Sequence, residues 1–203
     1  MATTSRPNAL GPAFADPVID AQLSFREILA ALAEPGTMRR LKAEITPPDG
    51  LAPAATIALL VLADHETPVW LPPASTEAAR YLLFHTGAAR AESPGCARFA
   101  IVDGSSEGPP LAAFDPGDDR YPDRSATVVV QCTALSGGAP VVLQGPGIRD
   151  RRRVSPTGLR AEFWSEVAAN TTRYPLGIDL LLVSGRDIIG LPRSTRVTAA
   201  EGR

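Results

Sequence analysis

The sequence predicts an α/β protein, a three-layer sandwich in which helices flank a mixed, hairpin-containing sheet. Helical apolar spacing dominates the first 90 residues, and strand-like segments rich in β-branched residues follow from residue 97. Short Gly-containing turns separate pairs of these strands. Because parallel strands cannot be joined by two-residue turns, a mixed or antiparallel sheet is expected rather than a strictly parallel, doubly wound one.

The first helix is predicted over residues 20–33. Asp20 is its expected N-cap, since a carboxylate can accept from the free amides of the first turn. Residues 34–36, Glu-Pro-Gly, end the helix, and a short strand is expected over 37–41. Helical spacing assigns four apolar side chains to one buried face: Phe25, Ile28, Leu29 and Leu32.

Two further helices are predicted on either side of a short strand over residues 68–71. The helix over 53–63 is apolar on nearly every face, so it is expected to be deeply buried. The next helix is expected to begin after a Ser75 cap, to run to about His85 and to end at Gly87.

Strands dominate the second half of the chain. A strand is expected over 98–102, followed by a surface excursion over 104–124 that is rich in Gly, Pro and Asp. The strongest strand signal, over 126–135, is predicted to form a hairpin with 140–143 through a Ser-Gly-Gly-Ala turn.

The last elements are a helix and a second hairpin. The helix is predicted over 157–169, with an inward face made of Leu159, Phe163, Trp164 and Val167. The hairpin joins 178–183 to 188–191.

Composition excludes several function classes. A net charge of -2 and a pI near 5.7 leave little attraction for nucleic acid or anionic lipid, and no apolar segment approaches the ~20 residues of a membrane span. Two cysteines, Cys96 and Cys132, fit no metal spacing and suggest a reducing compartment. We therefore expect a soluble, cytoplasmic protein with no metal, no nucleic acid and no membrane partner.

Motifs offer little catalytic chemistry. Lys42 is the only lysine and lies outside any P-loop, so the glycines near residue 137 are interpreted as a turn. The Asp64-His65-Glu66 triplet lacks convergent metal geometry, and Cys132 is interpreted as a small buried group. The arginine-rich run over 149–153 could bind phosphates, or it could be a solvated face or a subunit contact.

Several strings, spread over residues 16–197, together resemble the H subunit (PhnH) of the bacterial carbon–phosphorus lyase core complex. Residues 1–15 and 198–203 are expected to be a flexible N-terminal segment and a C-terminal tail outside this single domain. The strings are Phe25-Arg26-x-Ile28-Leu29-x-Ala31-x-x-Glu34-Pro35-Gly36, Leu62-Ala63-Asp64 with Thr67-Pro68-Val69-Trp70-Leu71, Phe84-His85-Thr86, Leu135-Ser136-Gly137-Gly138, Leu143-x-Gly145-x-Gly147-Ile148, Tyr174-Pro175-Leu176-Gly177-Ile178-Asp179-Leu180 and Pro192-Arg193-Ser194-Thr195.

The resemblance implies a role in phosphonate catabolism. Family members associate with the G, I and J subunits, form a homodimer when isolated, and support synthesis of ribose 1-methylphosphonate 5-triphosphate from ATP and methylphosphonate. The implied fold is similar to that of pyridoxal-phosphate-dependent transferases without the cofactor. Lys42, the only amine able to form a Schiff base, lies outside the matching strings, which agrees with that expectation.

No catalytic residue transfers from the resemblance. The matching strings offer five candidates for an anion-binding pocket or a subunit interface: Arg26, His85, Thr86, Asp179 and Arg193. An internal ion pair is the alternative for Arg26 and Asp179. The expected role is assembly. The alternatives are an autonomous enzyme, with His85 as acid–base group and Arg193 as anion clamp, and a sensor of a phosphate- or nucleotide-bearing ligand.

Overall fold

Three helices form a layer on one face of the main sheet. The structure is a computed structural model that describes residues 12–105 and 108–200. The helices of this layer are α1 (Pro17–Ala33), α2 (Pro53–Leu62) and α3 (Thr76–Thr86). No helix in the described ranges is long and apolar enough to cross a membrane.

The start of α1 differs from the prediction. Asp16, rather than Asp20, is the N-cap, and its carboxylate accepts from the amides of Val18 and Ile19 at 3.1 Å each. Proline at N1 then starts the helix, because its fixed φ suits the first turn and its missing amide is not needed there. Asp20 instead lies in the first turn, where its charge favours the helix dipole.

Over the residues described, the main sheet is mixed and has six strands in the order β1-β8-β7-β4-β3-β2. Strands β2, β3, β4 and β7 are parallel to one another, whereas β8 pairs antiparallel with both β7 and β1. This confirms the predicted α/β class, the mixed sheet and the final hairpin. The strands are β1 (Met38–Arg40), β2 (Val69–Trp70), β3 (Phe99–Asp103), β4 (Thr127–Gln131), β7 (Asp179–Ser184) and β8 (Asp187–Leu191).

One predicted hairpin is wrong, because its second strand belongs to a separate, three-stranded sheet. Residues 126–135 and 140–143 do not pair, because β4 is parallel to its neighbours β3 and β7 in the main sheet. The expected partner strand is instead the centre of the small antiparallel sheet. That sheet has the order β6-β5-β9 and consists of β5 (Val141–Gln144), β6 (Arg152–Val154) and β9 (Arg196–Ala199). The predicted tail beginning at residue 198 overlaps β9.

The helix α4 (Phe163–Thr171) is shorter than predicted. Residues 157–158 cannot join it, because Thr157 exchanges backbone hydrogen bonds with residues 133 and 134. Gly158, at φ +73°, packs against Thr133 in a conformation that favours glycine. Phe163 and Val167 are buried as expected, whereas Leu159 and Trp164 are half-buried.

The excursion after β3 is partly a core element rather than a surface loop. Leu111, which begins a short 3-10 turn, and Phe114, which follows that turn, are almost fully buried. The Glu166 carboxylate of α4 anchors the segment by accepting from the Leu111 amide at 2.6 Å.

Apolar side chains from both faces of the main sheet form two core clusters. One lies between the sheet and α1–α3, and the other lies between the sheet and α4 with the small sheet. Long apolar strands such as β7, with four consecutive buried residues, are therefore buried on both faces.

Candidate functional site

Asp179 and Arg193 form an internal ion pair at the amino end of β7. Arg193 Nη2 lies 2.8 Å from Asp179 Oδ2, and its Nε and backbone amide both donate to Oδ1, at 3.2 and 2.8 Å. The remaining guanidinium nitrogen, Nη1, donates to the Pro122 carbonyl at 2.6 Å. All three guanidinium nitrogens thus have protein partners, which favours the ion-pair alternative for Asp179. An anion-binding role for Arg193 stays a prediction.

His85 and Thr86 lie in the last turn of α3. The His85 ring is half-buried, 4.4 Å from the Tyr81 ring centroid and 4.9 Å from that of Phe84. The Thr86 hydroxyl donates to the Leu82 carbonyl and accepts from the Ala88 amide. Thr86 therefore helps to end the helix before Gly87, which adopts φ +75° as the sequence predicts.

Arg26 is exposed on α1 and lines a shallow recess of about 280 Å³. Asp20, Glu27 and the exposed Lys42 line the same recess, so it holds charges of both signs. Arg26 forms no ion pair within the described ranges.

The five candidate residues do not form one pocket. They lie on the outer surface of α1, in the last turn of α3 and at the amino end of the parallel strands. None of the other four lines the recess beside Arg26. The last turn of α3 leads into residues 89–91, which bond to Val69 of β2, whereas Asp179 lies on β7, three strands away in the sheet.

Polar groups at the carboxyl ends of the parallel strands brace the fold. Ligands of open α/β sheets bind at this edge. Here Gln131 at the end of β4 accepts from the Ala52 amide at 2.6 Å and donates to the Gly50 carbonyl at 2.9 Å. The Ser184 hydroxyl at the end of β7 donates to the Thr133 carbonyl. These bonds join the strand ends to neighbouring segments.

Cys132 and Asp64 have shifted pKa values that keep each in its ordinary charge state at neutral pH. Cys132 is half-buried rather than fully buried, and this burial raises the pKa of its thiol to about 12, which keeps it protonated. The pKa of Asp64 is lowered because its carboxylate accepts from the Glu66 amide and the Thr67 hydroxyl in a turn. In the described part of the chain, no group of three ligand-type residues could hold a metal ion.

An apolar surface covers the solvent side of α1. We call it the α1 face, and it consists of Val18, Ile19, Leu23, Phe25 and Leu29, each between 46% and 78% exposed. The prediction that Phe25 and Leu29 form the buried side of the helix is therefore wrong. The side facing the sheet consists of Ser24, Ile28 and Ala31. Contiguous exposed apolar groups of this kind mark interaction surfaces.

Arginines cover the outer face of the small sheet. The run over 149–153 divides there, because successive residues of a strand point to opposite faces. Arg152 points inward and donates to the carbonyls of Glu34 and Pro35 and to the Thr37 hydroxyl. Arg151 and Arg153 point outward and line a recess of about 330 Å³. The alternation was readable in the sequence, but strands β6 and β9 were not predicted.

The chain matches one protein family and is similar to two named bacterial proteins. Residues 12–198 match the family described as "Bacterial phosphonate metabolism protein (PhnH)". The "Alpha-D-ribose 1-methylphosphonate 5-triphosphate synthase subunit PhnH" of Rhizobium meliloti (strain 1021) is 39% identical over 196 residues, covering 96% of this chain and 98% of that protein. The "Putative C-P lyase subunit protein HtxG" of Stutzerimonas stutzeri is 29% identical over 180 residues, covering 87% and 85%.

Proposed function

The chain belongs to the PhnH family of bacterial phosphonate metabolism proteins, and we propose that it is a subunit of the carbon–phosphorus lyase complex. In this role it supports the formation of ribose 1-methylphosphonate 5-triphosphate from ATP and methylphosphonate. Its contribution is to dock onto companion subunits. The names of both relatives support this proposal, since each contains the word subunit.

The α1 face is the observation that carries the docking role. Five large apolar side chains on one helix remain at least 46% exposed although the helix has a well-packed inner side. Removing the exposed half of each from water would contribute about 1 kcal/mol per side chain. A cluster of such groups is the kind of centre on which most of the binding energy of an interface depends.

We propose the G, I and J subunits as the partners of the complex, with a homodimer formed by the isolated chain. The α1 face would be covered by one of these protein surfaces. Arg26, exposed on the same helix, would then lie beside the interface, where a carboxylate of the partner could bind it.

Co-purification tests this function. The chain is expressed with tagged G, I and J subunits and isolated through the tag. We expect a stoichiometric complex that survives gel filtration. Failure of the chain to associate with any of the three would contradict the subunit role.

An autonomous enzyme is the main alternative, and a turnover assay separates it from the subunit role. The purified chain is incubated with ATP and methylphosphonate, and products are followed by phosphorus NMR. We expect no turnover, because α3 and His85 end near β2, whereas Arg193 binds Asp179 of β7, three strands away in the sheet. Turnover without companion subunits would favour the enzyme.

We also propose three finer points about the fold, the domain and the location of the protein. They are the likeness of the fold to pyridoxal-phosphate-dependent transferases, a single domain over residues 16–197, and a cytoplasmic location. Lys42 supports the absence of a cofactor from that fold, because its exposed position differs from the enclosed pocket in which a Schiff-base lysine acts.

A further inference from the structure

Three arginines share the outer face of the small sheet with two polar neighbours. Antiparallel partners point to the same face, and Val142 of β5 pairs with Arg153 of β6 and Thr198 of β9. One pair further along, Gln144 is opposite Arg196. Arg151 lines the same recess as Gln144 and Arg153. We call this set the arginine face: Arg151, Arg153, Arg196, Gln144 and Thr198.

Among the described residues, no carboxylate pairs with the arginine face. In the part of the chain that the structure describes, none of its three guanidinium groups forms an ion pair or a hydrogen bond. Asp150, the neighbouring carboxylate in sequence, forms no ion pair either. The outer strands lie about 10 Å apart, so the long side chains can reach one ligand between them. Three uncompensated charges at this spacing repel one another, and a bound anion would remove that repulsion.

Protection of exposed sheet edges is the simpler explanation for charges on β6 and β9. Any mixture of charges would meet that need, and acidic residues are common in this chain. Edge protection also does not account for the recess that Arg151 and Arg153 line. Here the recess of about 330 Å³ beside Arg151 and Arg153 adjoins a groove of about 720 Å³. Arg153, Thr198 and Ala199 line both.

The groove has a different chemistry from the arginine face. Half-buried Trp164 of α4 lines it together with Pro140, Val141 and Val197, so most of its surface is apolar. A cationic recess that continues into an apolar, aromatic groove fits a ligand with an anionic end and a less polar body. The combined size is within the range of small-molecule sites.

We propose that the arginine face binds the oligophosphate end of a small nucleoside or sugar triphosphate, and that the Trp164 groove holds its organic body. Arginine suits this task because its planar guanidinium donates in pairs to phosphate oxygens. A nucleic acid is a poorer fit, since the chain carries a net charge of -2 and the charged patch is compact. The choice of a triphosphate rests on the proposed function, in which ATP and a ribose 5-triphosphate take part.

Calorimetric titration of the purified chain with inorganic tripolyphosphate tests the anionic part of the site. We expect saturable binding of one equivalent. Arg153→Gln and Arg196→Gln should each weaken it at least tenfold. Arg149→Gln is the matched control, because it removes the same charge from an exposed position in the same run but off the face. Thermal unfolding of each variant confirms the fold, and tripolyphosphate should raise the Tm of the unmodified chain.

ATP titration tests the groove. ATP should bind more tightly than tripolyphosphate, and Trp164→Phe should reduce that difference while leaving tripolyphosphate binding within twofold. The proposal is overturned if the unmodified chain does not bind tripolyphosphate, or if Arg149→Gln weakens binding as much as Arg153→Gln does.

Association of the same variants with the G, I and J subunits separates the two proposals. If tripolyphosphate does not bind but assembly is intact, the ligand-site proposal is refuted and the subunit role is not. If assembly, rather than anion binding, is lost in Arg153→Gln, the arginine face is a contact for an acidic protein surface and the ligand site is refuted. Failure of the unmodified chain to associate with the G, I and J subunits contradicts the subunit role, whether or not tripolyphosphate binds.

Discussion

Gly190 of β8 lies directly against the backbone of Ala31 in α1. A Cβ at position 190 would lie 2.5 Å from the Ala31 carbonyl oxygen and 2.7 Å from the Leu32 amide nitrogen. The close approach lets the helix rest on the sheet through the small residues Ser24 and Ala31 together with Ile28. The larger apolar residues of α1 therefore remain on its solvent side, where they form the α1 face.

Gly190→Ala is expected to lower the free energy of unfolding by about 2 kcal/mol, because the added methyl group forces α1 away from β8. Urea denaturation followed by circular dichroism measures the change. Gly95→Ala is the control, since a Cβ there meets only the Ala113 carbonyl, at an ordinary 3.5 Å. Equal stability of the two variants would show that α1 does not approach the sheet this closely.

The side of α1 that faces the sheet shows a limit of sequence reasoning. Helical spacing predicts the buried side from hydrophobicity alone, and on that basis Phe25 and Leu29 belong inside. Contact between a helix and a glycine-containing strand instead selects small residues, and Ser24 is 2% exposed while Leu29 is 55% exposed. Without the position of Gly190, the sequence offers no signal for this choice.

Local sequence signals predicted the ends of helices well, but they did not predict which distant strands pair. The proline and glycine signals placed the ends of α2 and α3 within one residue, and the final hairpin followed from its own turn. The small sheet joins β5 to strands 8 and 52 residues away in sequence. Such pairing depends on tertiary packing, so the arginine face could not be assembled from the run over 149–153 alone.

Asp179→Asn is expected to destabilise the protein by about 2–3 kcal/mol, because it leaves the Arg193 guanidinium half-buried without its counter-charge. Denaturant titration measures this loss. Arg193→Gln should have a comparable effect, and the double variant should cost less than the sum of the two. Additive losses, or a stable Arg193→Gln variant that has lost anion binding, would favour the anion-clamp role for Arg193.

Arg152→Gln should lower the free energy of unfolding by about 1–3 kcal/mol, because two carbonyls and a hydroxyl lose their shared donor. Arg151→Gln is the control one residue earlier in the same run, and it should change stability by less than about 0.5 kcal/mol, since Arg151 is exposed. If both variants were equally stable, the inward position of Arg152 would be refuted.

Iodoacetamide at pH 8 is expected to modify Cys96 at least 100-fold faster than Cys132, as measured by mass spectrometry of peptides. Cys96 is exposed. With a pKa of about 12, only about one Cys132 thiol in ten thousand is ionised at this pH. Rapid labelling of Cys132 in the folded protein would contradict the raised pKa of its thiol.

The same thiol predicts a dependence of stability on pH. Its pKa is raised from 9.0 to about 12 in the folded chain, so between these values the unfolded chain has lost a proton that the folded chain retains. The free energy of unfolding should therefore fall as pH rises from 9 towards 12. Cys132→Ala should show a smaller fall, while the contribution of Tyr81, whose pKa is also raised by burial, is the same in both proteins.

The affinity of the chain for the assembled G, I and J subunits, measured by surface plasmon resonance, tests the docking role of the α1 face most directly. Phe25→Gln with Leu29→Gln should weaken binding at least tenfold, because apolar surface is lost from the contact while helix propensity is kept. Leu83→Gln with Phe84→Gln, a more exposed apolar pair on α3, should change the affinity less than threefold. Unchanged affinity of the α1 variant would contradict docking through this face.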